Sequence, residues 1–298
     1  MFENDDVFKS GLHLNIDADT PIYSYCCVHN EDDDQSRMMI KRQLKIFFNT
    51  LLADSGCDDF TLYLTTKENF RDDLVDDYKY HRDPADKPVN LLWAKKWCAK
   101  EFNARWHNKM EADDLLGVDQ TNTTVIWSRD KDLRQIPGMH LDYDTRQIKT
   151  ITHTGVLKDM GKKIYFDGTI GFYLQLLTGD STDYIVGCGK RVEKVYKSGA
   201  KKGQKYISRQ GVGAKAAMKI LVAAGDLDSA KEAVRKEYEK IHGDNWQKEL
   251  ETQANLLWMV RYQDGEIIQR WTYDDREEYF DLVKGVIVND YAPGTQAS

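Results

Sequence analysis

The stretch Thr123-Thr124-Val125-Ile126-Trp127-Ser128-Arg129-Asp130-Lys131-Asp132-Leu133 decides how this chain is read. Its first five residues are β-branched or aromatic, and they stop at a polar turn that carries two aspartates one residue apart. A short apolar run bounded by turn residues predicts a buried strand. Two more such runs lie upstream: LHLNID at 12–17, which ends in Asp17, and FTLYL at 60–64. Between them, over 35–53, Ile40, Leu44, Phe47, Phe48, Leu51 and Leu52 recur at helical spacing, with one face toward a core. Further helices are predicted around 90–106, at 111–117 and over 168–178, with short strands and turns from 138 to 163. Strands alternating with helices predict an α/β fold, a mainly parallel central sheet flanked by helices. Ligands of such sheets gather at the carboxyl ends of strands, where Asp17 and Asp130 both fall. After Gly211 the pattern is helical, with pieces near 211–224, 226–241, 245–262 and 274–286.

The acids beyond these strand ends come in groups. Glu111, Asp113 and Asp114 stand in MEADDLLG, Asp130 and Asp132 in SRDKD, and Asp180 and Asp183 in TGDSTD; Asp17 and Asp19 flank Ala18. Singly, each group reads as ordinary chemistry: acids in a first helical turn complement the helix dipole, and aspartates suit turns. Asp17 is different, because a carboxylate ending a buried strand is costly without a partner. Grouped acids with no histidine or cysteine beside them suit a hard cation such as magnesium or manganese. If the groups converge, their mutual repulsion demands cations.

Composition narrows the field. With 298 residues, 41% of them hydrophobic and 31% charged, the chain has material for a sizeable core in one large domain or two smaller ones. Five cysteines without a CxxC pair suggest neither a disulfide framework nor a zinc site, and fit a reducing cytoplasm. The opening MFENDDVF does not read as a secretory leader, and no apolar run approaches membrane-spanning length. The net charge of −7 is uneven: from Gly187 to Lys219 ten basic residues face one acid, Glu193. Alone, this stretch reads as a solvated lysine-rich loop, yet a local basic patch can hold phosphates even on an acidic chain. No repeat and no other low-complexity segment is present.

Taken in order, these landmarks resemble the 5′-nuclease superfamily, the flap endonucleases and 5′→3′ exonucleases, and the bacteriophage members most. They are Asp17 at a strand end, YKYHRD (78–83), EADD (111–114), SRDKD (128–132), GDSTD (179–183) and GVGAKAA (211–217). The resemblance covers about residues 12–225. It implies a PIN-like α/β core over 1–186 with a helical arch region at about 67–108. A helical DNA-binding part follows over 187–298, with a helix–three-turn–helix element. It implies hydrolysis of phosphodiesters at DNA 5′ ends, flaps or nicks, with or without RNA primers, in phage replication, primer removal or recombination in the host cytoplasm. Two Mg2+ ions (Mn2+ substituting) are implied, with K+ at the helix–three-turn–helix turn, and neither an organic cofactor nor a membrane. By position, Glu111, Asp113, Asp130 and Asp17 would hold the tighter ion, Asp132, Asp180 and Asp183 the second, with Asp114 shared or behind them. Lys79 and Arg82 match basic residues that steady charge on the scissile phosphate, and Tyr78 is placed to stack on a terminal base. Gly211 and Gly213 would let backbone approach phosphate, with Lys215 adding charge. Lys190, Arg191, Lys201, Lys202 and Lys205 belong to an insertion at 190–209 that reads as a β-hairpin with an SGAKKG tip, expected to grip duplex phosphates without sequence preference.

Two features depart from that pattern. Many members carry another aspartate after the second strand, where this chain has Thr65-Thr66; Asp19 is an extra acid placed to compensate. The insertion itself is the second. Three rival readings remain. In a haloacid-dehalogenase-type phosphatase, IDADT would make Asp17 the nucleophile and Asp19 the acid, leaving EADD, SRDKD and the glycine turn unused. A PIN-type ribonuclease shares sheet and acids but is usually much shorter and lacks the glycine turn. A catalytically dead DNA-binding scaffold is the third.

Overall fold

The computed structural model of the chain describes residues 10–66, 68–75, 78–79, 87–263, 266–268 and 270–273. Its centre is a six-stranded sheet in the order β3-β2-β1-β4-β5-β6. The strands are β1 (His13–Asp17), β2 (Asp59–Thr65), β3 (Arg105–His107), β4 (Thr124–Trp127), β5 (Gly138–Leu141) and β6 (Ile148–Ile151). All pairings are parallel except β5 with β6. This is a mixed α/β fold with a mainly parallel sheet flanked by helices, consistent with a PIN-like core.

The three apolar runs become the three central strands. Leu14, Ile16, Leu62, Leu64, Val125 and Trp127 are buried in one cluster with Ile40, Leu44, Phe48 and Leu51. Those last four line one face of α2 (Asp34–Ser55), which follows α1 (Asp19–Val28). The helix expected over 90–106 is shorter: α3 spans Leu91–Glu101, and the chain then enters β3. Only Trp106 of β3 is buried, so this strand carries little periodic signal.

The expected short helix is α4 (Ala112–Val118). The 138–163 segment supplies β5, β6 and β7 (Leu157–Asp159), and β7 pairs with β8 (Ile164–Phe166). A second core joins α5 (Gly168–Thr178), α6 (Ala214–Ala224), α7 (Leu227–His242) and α8 (Trp246–Leu257) through Phe172, Leu176, Leu221, Val234, Tyr238 and Leu250. The insertion forms the antiparallel hairpin β9 (Lys190–Val195) and β10 (Lys205–Gln210). The helix expected over 245–262 ends at Leu257; extended backbone then leads into β11 (Arg261–Gln263), paired with β12 (Glu266–Ile268). The piece expected at 274–286 lies outside the described residues. No described helix is long and apolar enough to cross a membrane.

Met259 and Val260 pack with Tyr63, Phe70, Leu116 and Ile126 in a third cluster. The C-terminal segment thus closes on the same edge of the sheet where the acids gather.

Candidate active site

Strand register sets the first acids. Asp17 pairs with Tyr63 across β1 and β2, and Ile16 with Trp127 across β1 and β4, so Asp17 and Ser128 emerge side by side at the carboxyl edge. Ser128 Oγ donates to Asp17 Oδ2 at 2.7 Å and accepts the Asp130 N–H at 2.9 Å. Asp130 Oδ1 in turn accepts the Asp132 N–H at 2.8 Å. The SRDKD turn is therefore wound on its own side chains and tied to β1.

α4 brings the next acids to the same edge. Thr65 Oγ1, at the end of β2, accepts the Ala112 N–H at 2.9 Å and docks the helix start there. Glu111 is the N-cap residue, and Asp113 and Asp114 fall in the first turn. Asp113 belongs to the cluster: burial first, then the charges of Asp17, Asp130 and Glu111, push its carboxyl well above the ordinary range. Burial, with Asp19 and Asp130 against the Ser128 hydroxyl, raises Asp17 to about 7. Oxygen atoms from β1, α4 and the turn after β4 thus crowd into one negative centre. It has no described lysine or arginine ion-paired to Asp17, Asp113 or Asp130.

Asp114 is paired with a buried arginine. Arg71 donates to both its oxygens, Nη1 to Oδ2 at 2.7 Å and Nη2 to Oδ1 at 2.8 Å, and both side chains are 0% exposed. Asp114 also accepts the Glu111 and Val260 N–H groups, at 3.2 and 3.1 Å. Arg71 Nη2 reaches Trp258 O at 2.6 Å. This buried pair anchors the start of α4 to the C-terminal segment.

The second group carries its own cations. Lys131 Nζ pairs with Asp180 and lies 3.3 Å from Asp132. Burial, then Asp130, raises Asp132 to about 7 despite Lys131 and a 2.6 Å bond from Gln175 Nε2. Gln175 is held by Gln135, which bonds Leu257 O and receives Arg261, a buried polar chain running back from the site. Burial alone would raise Asp180, but the Lys131 hydrogen bond and charge bring it below its usual value.

Lys79 Nζ sits 2.6 Å from Glu111 and 3.5 Å from Asp183. Burial would raise Glu111, yet Lys79 and Arg71, with a 3.2 Å bond from Tyr78 Oη, hold it at about 2. Lys79 and Tyr78 thus both contact the Glu111 carboxylate. Arg82 lies outside the described residues.

Asp180 and Asp183 are fixed by a closed loop. Asp180 and Ile185 exchange both backbone hydrogen bonds, at 2.9 and 2.7 Å. The loop closes because Gly179 and Gly187 meet backbone to backbone: a Cβ on Gly179 would stand 2.3 Å from Ile185 O. Tyr184 within it has φ +63°, a left-handed backbone that costs a bulky residue about 1–3 kcal/mol.

At Thr65-Thr66, Thr65 Oγ1 accepts the Ala112 N–H and Thr66 Oγ1 donates to His107 O at 3.0 Å. Asp19 fills part of that space: its Oδ2 accepts the Thr65 N–H at 3.1 Å and its Oδ1 pairs with Lys95 at 2.6 Å.

Beside the site, Lys190, Arg191, Lys201, Lys202 and Lys205 are exposed along the hairpin, with Gly199 and Gly203 in left-handed conformations at its tip. Gly211 has a packing role, since a Cβ there would meet Gly189 Cα at 2.7 Å in the hairpin neck. Gly213, the N-cap of α6, faces open space, and exposed Lys215 follows it 3.7 Å from Asp159.

The donor set fits a hard divalent cation, being all oxygen with no thiol or imidazole among it. Among the described residues no group of three of these side chains stands close enough to hold a metal ion. Lys95, Arg71, Lys131, Gln135 and Gln175 gave no signal in the sequence, because each acts through contacts with residues thirty or more positions away in the chain.

No family model matches the chain, and no curated protein matches its sequence. Among solved structures, a crystal structure of the T5 D15 protein co-crystallized with metal ions is similar at a TM-score of 0.46 and 12% identity. The similarity covers 83% of this chain and 100% of that one. A likeness at this level leaves the function to the site's own side chains.

Proposed function

We propose that this protein is a divalent-metal-dependent 5′→3′ deoxyribonuclease that cuts phosphodiesters at DNA 5′ ends, flaps or nicks, in the manner of the phage 5′-nucleases. One observation carries the reading. Asp17, Asp113 and Asp130 stand on three separate elements at the carboxyl edge of a parallel sheet; beyond the effect of burial, the charges of Asp17 and Asp130 push the Asp113 carboxyl up, and the charge of Asp130 pushes up Asp17. A fold gains nothing from such crowding unless a cation joins it.

Asp17, Asp113, Asp130 and Glu111 would hold the first ion, and Asp132, Asp180 and Asp183 the second. Ions bound there would supply positive charge to the scissile phosphate and lower the pKa of water. The chain's own residues supply the rest. Ser128 fixes the Asp17 carboxylate, Gln175 fixes Asp132, and the Arg71–Asp114 pair sets the angle of α4 and with it Asp113. Lys79, with Arg82 nearby in sequence, offers positive charge at the edge of the cluster, where a phosphate oxygen gathers charge during cleavage. The hairpin lysines, Arg191, Lys215 and the glycine turn, with K+ there, would bind duplex backbone.

The phosphatase reading has less support. It leaves Asp113 and Asp130 without work, and its acid, Asp19, is tied to Lys95 and the Thr65 N–H. The test is a 5′-labelled flap or nicked duplex incubated with Mg2+. Metal-dependent release of 5′ fragments is expected, lost in Asp113→Ala and Asp130→Ala while DNA is still bound. No release would sink the nuclease reading in favour of a binding scaffold; turnover of p-nitrophenyl phosphate in its place would favour the phosphatase.

A further inference from the structure

We propose that Arg261 is a positioning residue for the second group of acids: through the amides of Gln135 and Gln175 it orients the Asp132 carboxylate for a divalent cation. This rests on the nuclease reading above and names the residue that sets the affinity of its second ion.

Arg261 is buried, and among the described residues no carboxylate pairs with it. A charge buried without a counter-charge is costly, and burial alone pushes this guanidinium down to about 9. It lies 3.9 Å from the centroid of the Trp258 ring. Its Nε donates to Met259 O at 3.1 Å, Nη1 to Gln135 O at 2.8 Å, and Nη2 to Gln135 Oε1 at 3.4 Å. Beyond it, Gln135 Nε2 donates to Gln175 Oε1 at 2.7 Å, and Gln175 Nε2 to Asp132 Oδ1 at 2.6 Å.

The two ends fix the direction of this series. Arginine only donates, and a carboxylate ion only accepts. Each glutamine therefore turns its oxygen toward Arg261 and its NH2 toward Asp132. Turning either amide over would set donor against donor on one side and acceptor against acceptor on the other. Leu257 O, which accepts from Gln135 Nε2 at 3.0 Å, enforces the same choice. All four side chains are buried, and donors in series polarise one another in such a setting. The charge of Arg261 thus acts on Asp132 across two amides. Asp132 lines the cleft shared with Asp130, Asp180 and Asp183, so the series joins the C-terminal segment to the place of the second ion.

The test measures Mn2+ binding to the metal-free full chain by calorimetry, with a thermal melt to show that each variant is folded. Wild type is expected to bind two ions of unequal affinity. Arg261→Met keeps the bulk and removes the charge. It should weaken the looser ion by about tenfold or more, the range for residues that hold a metal ligand from behind, and leave the tighter ion unchanged. Arg261→Lys should recover most of that loss. Gln135→Met cuts the series but leaves Arg261 its bonds to Gln135 O and Met259 O, and should match Arg261→Met. The double variant should lose no more than either alone. An arginine that only supports the fold would lower the melt and leave the Mn2+ affinities as they were. Wild-type affinity in folded Arg261→Met or folded Gln135→Met, an equal loss at both ions, or a wild type that binds a single ion overturns the proposal. Should Arg261→Met fail to fold, Gln135→Met decides. Failure of the nuclease reading looks different: wild type would release no 5′ fragments in Mg2+, whatever its Mn2+ affinities.

Discussion

Replacing Arg71 by leucine tests what the acidic motif at 111–114 is for. Arg71 gives both terminal nitrogens to Asp114 and one of them to Trp258 O as well, in a place with 0% exposure for both side chains. The pair is expensive to bury, but breaking it leaves a lone buried carboxylate, and such one-sided removals cost about 3–5 kcal/mol. At about 2–4 °C per kcal/mol for a chain of this class, the midpoint of metal-free thermal unfolding should fall by roughly 10 °C. Asp114→Asn should cost a similar amount, because it strands the guanidinium and weakens the acceptors for the Glu111 and Val260 N–H groups. The double variant should cost much less than the sum, giving a coupling energy of about 2–3 kcal/mol in urea titrations. Additive losses, or a loss under about 1 kcal/mol for Arg71→Leu, would refute the reasoning. So would an Asp114→Asn protein that unfolds normally without metal yet binds Mn2+ more weakly, since that is the behaviour of a direct ligand.

Other outcomes follow from the same geometry. Asp17 and Asp132 are raised from 3.8 to about 7, chiefly by burial. Their folded forms hold protons that the unfolded chain has released, so metal-free stability should fall as pH rises from about 4 to about 7, by up to about 4 kcal/mol per group. Divalent cations stabilise the ionised forms, so the gain in melting temperature from Mg2+ should grow over that window; a gain independent of pH would contradict the site. Glu111, held at about 2 by Lys79 and Arg71 against burial, contributes the opposite way, and its share is lost as pH falls from about 4.5 toward 2. Deleting 192–208 removes the exposed hairpin and should weaken DNA binding and flatten its dependence on salt; an unchanged slope in a salt titration would remove the hairpin from the interface.

The sequence made the sheet legible because its three central strands are apolar runs whose buried faces, Leu14, Leu62 and Val125 among them, needed no tertiary knowledge. β3 was hidden inside a helical-looking segment because three residues with one buried side chain carry no period. The end of α8 was hidden for a different reason. LLWMV continues the apolar pattern, yet Trp258 O and Val260 N–H are taken by Arg71 and Asp114, and those bonds hold the backbone extended. The acids were legible by type and by place at element ends. What could not be read was which acid pairs with which base. Asp113 and Asp114 are adjacent in sequence, but one faces the cluster and the other a buried arginine 43 positions away.

Two lysines divide the remaining acids. Lys79 serves Glu111 and Asp183, and Lys131 serves Asp132 and Asp180. Among the described residues Asp17, Asp113 and Asp130 are left without an ion pair, a centre that an added cation would balance. DNA brings more negative charge to that centre, so without divalent ions these acids oppose the substrate they serve. One unit charge opposing another at about 4 Å through water is worth about 1 kcal/mol. Asp130→Asn, which keeps the shape of an exposed turn residue and removes its charge, should therefore bind duplex about fivefold more tightly than wild type in EDTA. The advantage should shrink or reverse once Ca2+ is added, because the wild-type carboxylate then holds an ion that attracts phosphate. Fluorescence anisotropy of a labelled nicked duplex reads both conditions. Equal or weaker metal-free binding by Asp130→Asn would mean that phosphate does not approach these acids, and the cleft would have to be given another substrate.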